Sequence, residues 1–159
     1  NNIALTLAAS TPDSIELEES LMEVQATAEK AQDYYNYARA AIQLARLYVN
    51  RKMTLPTEVL SNLIKAYQYL FGQRLAGLFD SAHRLLWDEF EKSKDIPNLL
   101  TLFKHSSFNW RLDNNEDKEK TYATRLIAME RKLLKVDILV ANADTAYSLA
   151  RSGKQWFLK

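Results

Sequence analysis

The stretch SIELEESLMEVQATAEKAQDYYNYARAAIQLARLYVNRK, Ser14 to Lys52, decides the fold class. Within it Leu17, Leu21, Val24, Ala28, Ala31, Tyr35, Ala38, Ile42, Ala45 and Val49 recur at alternating steps of four and three, and every one is apolar. That is the period of a helical seam built to lie against other helices. Thr11, Pro12, Asp13 and Ser14 supply starting chemistry. The acids Glu16, Glu18 and Glu19 suit the positive end of the helix dipole. No Gly or Pro follows before Met53. The spacing therefore predicts one helix of about 40 residues, roughly 60 Å long. A compact sphere of this chain length is only about 40 Å across, so an elongated molecule is expected.

The two halves of the stretch differ. From Ser14 to Lys30 the apolar stripe is narrow and framed by acids. From Tyr34 to Val49 the only polar side chains are Asn36, Arg39, Gln43 and Arg46, along one thin line. A helix apolar on nearly every side is surrounded by neighbours. The second half reads as the central post of the fold and the first half as the place for a partner. On that division, Ile42→Glu should unfold the chain, while Leu21→Glu should damage association more than folding.

Downstream, Thr54, Leu55 and Pro56 open a second helix whose apolar positions run from Leu60 to Leu85 and end near Lys92. Gly72 and Gly77 lie inside it and predict a kink or a close helix contact. Asp95, Ile96 and Pro97 open a short third helix, Asn98 to about His105, and Phe108–Leu112 reads as irregular. Asn114 or Asn115 caps the last long helix. Its seam of Tyr122, Leu126, Met129, Leu133, Val136, Val140, Ala143, Tyr147 and Ala150 matches the first in kind. Arg151 and Gly153 give C-terminal chemistry. No strand is convincing. The long helices share a period but not residues, so no internal repeat is read. The expected fold is all-α, an elongated antiparallel helical bundle of three long helices plus one short helix. It forms a single domain over residues 1–159, with 1–11 a flexible lead-in and 154–159 a tail. The start at Asn1-Asn2 in place of Met is read as a domain cut from a longer chain, or a processed product.

Composition narrows the chemistry. A net charge of +1 gives no global pull toward nucleic acid or an anionic membrane. The charge is uneven, however: residues 1–50 carry 3 basic and 7 acidic side chains, and residues 118–159 carry 9 basic and 4 acidic. The absence of Cys excludes disulfides and thiolate metal sites, and favours a cytoplasmic setting. No apolar run approaches the roughly 20 residues of a transmembrane helix. Ile3–Ser10 has the look of a signal-peptide tail without its charged region.

No motif carries catalysis or a cofactor. The two histidines, His83 and His105, have no metal-ligand spacing to each other or to a glutamate. Asp113, Asn114, Asn115, Glu116 and Asp117 imitate a calcium loop, but Lys118 stands where it needs Gly and Thr124 where it needs Glu. The stretch reads as a polar helix cap. Asp80, Ser81 and His83 are the right types for a nucleophilic triad, but Ser81 and His83 are two apart on a helix and face apart.

Protein partners are the leading expectation: a non-enzymatic helical-bundle module for protein–protein interaction or self-association, of scaffold or adaptor type. Leu17, Leu21 and Val24, framed by Glu18 and Glu19, are the candidate partner-binding residues. The alternative is a nucleic-acid-binding bundle using Lys118, Arg125, Lys132 and Lys135, which share a face of the last helix. A third reading is an enzyme with a site gathered around His83. Tyr34, Tyr37, Tyr48, Tyr67 and Tyr69 cluster in two helices, either as core-edge residues with wet hydroxyls or as a binding platform.

Overall fold

A computed structural model describes residues 15–73 and 75–134, and within them six α-helices and no strand. They are α1 (Ile15–Lys30), α2 (Tyr34–Asn50), α3 (Thr57–Leu70), α4 (Ala76–Lys92), α5 (Ile96–Leu112) and α6 (Glu116–Leu134). The chain divides between Glu89 and Phe90, inside α4, into two compact units. The all-α class stands, but three long helices and one short one do not describe it. No helix among the described residues exceeds 19 residues. Residues 1–14 and 135–159, with the lead-in, the tail and the seam from Val136 to Ala150, lie outside the described residues.

The 60 Å rod does not form because the chain turns sharply at Ala31–Asp33. Gln32 takes a left-handed φ of 55°. Its N–H donates to the Glu29 carbonyl at 3.1 Å, and that of Asp33 to the Ala28 carbonyl at 2.8 Å. Together these bonds close the end of α1. Asp33 then caps α2: one carboxylate oxygen accepts from the Asn36 backbone N–H at 3.1 Å, the other from the Asn36 amide at 2.6 Å. Three residues thus end one helix, reverse the chain and begin the next.

The same device recurs. Lys94 (φ 57°) and Asp95 join α4 to α5, and Asp95 accepts from the Asn98 backbone at 3.2 Å and from its amide at 2.6 Å. Asn114 (φ 54°) joins α5 to α6, where the Asn115 side chain accepts from the Lys118 N–H at 3.4 Å. The calcium-like stretch is therefore a turn and a cap. Lys52 (φ 55°) ends α2. After α3, Phe71 at φ −62°, ψ 126° and Gly72 at φ 76° form a type II turn, where the chain breaks rather than kinks.

These turns expose an internal repeat that the side-chain pattern conceals. Glu29, Lys30, Asp33 and Asn36 recur as Glu91, Lys92, Asp95 and Asn98, 62 residues on. The same step carries Gln32 and Lys52 onto Lys94 and Asn114, all with positive φ. It also carries Tyr34–Asn50 onto Ile96–Leu112. An ion pair repeats too: Glu29 of α1 pairs with Lys65 of α3, and Glu91 of α4 with Arg125 of α6. The chain is two copies of a three-helix plan, α1–α3 and α4–α6, with shared turns and different side chains.

In the first unit α2 packs against both α1 and α3. Nine of its residues are buried, with Ala38 and Ala45 closed off completely, so the apolar half of the opening stretch is indeed wrapped by neighbours. Leu17, Leu21, Val24 and Ala28 of α1 and Val59, Leu63, Ala66, Tyr67 and Leu70 of α3 complete the core. The Tyr67 ring stacks on Phe79 at 5.0 Å, and Arg46 donates to the Ser81 hydroxyl at 2.9 Å.

In the second unit α5 packs against α6, with Trp110 stacked on Tyr122 at 5.2 Å. The helix runs through Phe108–Leu112, where irregular chain was expected. Buried Ser106, Ser107 and Asn109 break its apolar period. Ser107 fits because its hydroxyl donates at 2.8 Å to Glu119, a buried carboxylate that Arg111 also holds.

Two outcomes follow for stability. Leu21 and Ile42 are both closed to solvent, at 0% and 1% exposure. Leu21→Glu and Ile42→Glu should therefore each cost about 4 kcal/mol or more in urea unfolding. A soluble, fully folded Leu21→Glu protein would contradict this packing. Gln32→Gly and Lys94→Gly, at left-handed positions that penalise a Cβ, should each stabilise by about 1 kcal/mol. A lowered thermal midpoint in both would show that these turns are not held at positive φ.

Candidate functional site

Four of the five residues expected to meet a partner are engaged within the chain. Leu17, Leu21 and Val24 are buried in the first unit's own core. Glu18 ties α1 to the end of α2. It accepts from the Tyr48 hydroxyl, and its second oxygen lies 2.6 Å from the Arg51 guanidinium. Glu19 is exposed on the opposite face. The stripe therefore serves folding, because the turn at Gln32 lays α2 along it.

The basic residues of α6 are also divided. Arg125 pairs with Glu91 and lies 5.3 Å over the Tyr122 ring. Lys118 is half-buried, Lys132 is exposed and Lys135 lies outside the described residues. His83 is enclosed, at 1% exposure, with its ring 5.8 Å from that of Trp87. Ser81 of the triad-like trio is occupied by Arg46. Among the described residues no three His, Asp or Glu side chains converge as metal ligands, and no helix is long and apolar enough to cross a membrane.

What the fold does assemble is a tyrosine patch, where the end of α1, the start of α2 and the end of α3 come together. Tyr34 and Tyr69 rings lie 4.3 Å apart at 37°, and Tyr37 meets Tyr69 edge-on at 5.5 Å. The Lys65 ammonium stands 5.5 Å over the Tyr37 ring and 5.9 Å over that of Tyr69. Glu29 accepts from this ammonium and holds its pKa above the ordinary lysine value. Tyr37 is the buried anchor. Its hydroxyl donates to Asn62 at 3.2 Å, and burial pushes its pKa up. On another face of α2, Arg39 lies 5.4 Å over the Tyr35 ring. Tyr34 and Tyr35 are about half exposed, at 48% and 47%.

Of the five tyrosines flagged in the sequence, Tyr34, Tyr37 and Tyr69 meet here. Tyr48 goes to Glu18 and Tyr67 to Phe79. The sequence reading missed Tyr35, Arg39, Lys65 and Glu29. A signal was present: Tyr35–Arg39 and Lys65–Tyr69 are both four apart on a helix, the spacing at which a cation reaches a ring. The patch's aromatic faces are rigid and amphipathic, and its cations sit ready at their edges.

The Glu18 lock has a pH signature. The Tyr48 hydroxyl, and then Arg51, hold its carboxyl below the ordinary glutamate value. The folded chain thus favours the ionised form. That stabilisation is complete above the unfolded value and is lost as pH falls through the lower folded one. Glu18→Gln should lower the urea midpoint near neutral pH, and the gap from wild type should close in acid. A gap of constant size across that range would show that the lock does not need an ionised carboxylate.

Comparison of the chain with protein-family models, with curated proteins and with solved structures finds no match in any of the three.

Proposed function

We propose that this chain is a non-enzymatic protein-interaction module that docks its partner on the tyrosine patch of the first unit. The observation that supports this reading is Tyr34, a large aromatic side chain left half exposed on the Tyr69 ring, which Tyr37 and Lys65 hold in place, with Tyr35, also half exposed, next to it in the chain. Tyrosine and arginine are enriched among the residues that dominate binding energy at protein interfaces, and tyrosine buries much area at small cost in side-chain entropy.

The internal repeat strengthens the reading. The caps, the left-handed turn residues and the glutamate–cation pair occur in both copies and belong to the scaffold. Where the first copy has Tyr34, Tyr35 and Arg39, the second has Ile96, Pro97 and Thr101. The aromatic surface is therefore an addition to the plan and not a requirement of it.

Site-specific photo-crosslinking tests the reading. With p-benzoylphenylalanine replacing Tyr34, the protein should give discrete protein adducts in an extract of its source cells, and Tyr35→Ala with Tyr69→Ala should diminish them. The same group placed at Thr101, the exposed position matching Arg39, should give none. Equal adducts at both positions, or none at position 34, would remove the patch as a docking surface.

A further inference from the structure

A polar line runs along another face of α2 from the Tyr37–Tyr69 cluster. Tyr35, Arg39, Gln43 and Arg46 follow one another at steps of four, four and three, and are the open side of a helix otherwise buried. Arg46 is committed to Ser81. The Arg39 guanidinium is seated on the Tyr35 ring, and no carboxylate among the described residues meets its charge. The Gln43 amide likewise has no hydrogen-bond partner among the described residues. In the second copy the corresponding line is Pro97, Thr101, His105 and Phe108, and the Thr101 hydroxyl turns back to the Pro97 carbonyl at 3.0 Å. The second copy has no cation at the position of Arg39.

We propose that the Tyr35–Arg39–Gln43 line of α2 receives an acidic peptide segment of the partner protein, with a carboxylate on Arg39 and an apolar side chain on the tyrosines. This rests on the docking reading above and gives the partner its chemistry. A guanidinium held flat on a ring keeps its fork of N–H donors in place, and carboxylates match that fork with two parallel bonds. Gln43, one turn on, can donate to and accept from the peptide backbone. The charge balance favours a single carboxylate over a nucleic-acid backbone. Lys65 is already neutralised, and the Glu29 and Asp33 carboxylates beside the patch repel a polyanion, which needs several open cations.

Selection from a random peptide library on the immobilised full chain, followed by anisotropy titration of the enriched peptides, tests the proposal. Enriched peptides should carry Asp or Glu next to an apolar residue. Arg39→Gln should weaken them about tenfold or more, with Arg39→Lys in between and an unchanged thermal midpoint in both variants. Acidic peptides that bind Arg39→Gln as well as wild type would overturn it. Enrichment of neutral peptides, lost on Tyr34→Ala with Tyr35→Ala, would overturn the acidic partner but leave the docking surface standing. No enrichment at all would remove both. Tighter binding of a uridine oligonucleotide than of any selected peptide, lost in Arg39→Gln, would replace the peptide with a nucleic acid.

Discussion

A single backbone constraint governs this molecule: one residue in the left-handed region at the end of a helix, followed by a residue whose side chain caps the next. At Gln32, Lys94 and Asn114 one helix ends and the next begins within three residues. Because the turn is so short, the helices on either side of Gln32 must lie against each other, and α2 is committed to α1 before any side chain is considered. The burial of Leu17, Leu21 and Val24 follows, as does the reach of Glu18 to Tyr48 and Arg51. So does the arrival of Tyr34 and Tyr35 at the end of the unit where α3 brings Lys65 and Tyr69.

Much of the fold was legible from the chain alone, and its failures share one cause. Helical period, the polar line on α2, the end of α2 near Lys52, the starts after Pro56 and at Pro97 and the cap at Asn115 were all visible in the residues. The break at Gln32 was not, because helix ends are recognised by glycine and here Gln takes the glycine conformation, and the stop at Gly72 read as a kink inside one helix. The Ala31–Tyr35 step kept the apolar period running straight through a reversal, so two helices read as one. On α5 the error ran the other way. Ser106, Ser107 and Asn109 looked like the end of a helix, although Glu119, twelve residues beyond Ser107, accepts the Ser107 hydroxyl and makes that burial possible. The tyrosines were half legible. Their number was noticed, but which of them meet depends on the reversal that was missed.

The two copies of the three-helix plan separate what a fold requires from what it adds. A capping aspartate, a following asparagine and a glutamate paired to the third helix occur in each, although the cores differ. Phe79 stands where Leu17 does, Trp110 where Tyr48 does, and the buried serines of α5 where α2 has Leu44 and Ala45. Core residues are exchangeable as long as volume and burial are kept. Turn geometry is less forgiving, since it sets the direction of everything after it. This explains why similarity between the copies is concentrated in eight residues around a turn and thin along the helices.

The brevity of these turns also bears on how the chain reaches its structure. Closing a loop of three residues costs little entropy, and the α1–α2 and α5–α6 contacts join segments that are neighbours along the chain. Contacts of that kind give low contact order, which favours folding on the microsecond to millisecond scale. Each hairpin brings its own stop, reversal and start, so both can nucleate independently. A ribosome releasing this chain would present α1 and α2 as a closed pair before α6 had been made.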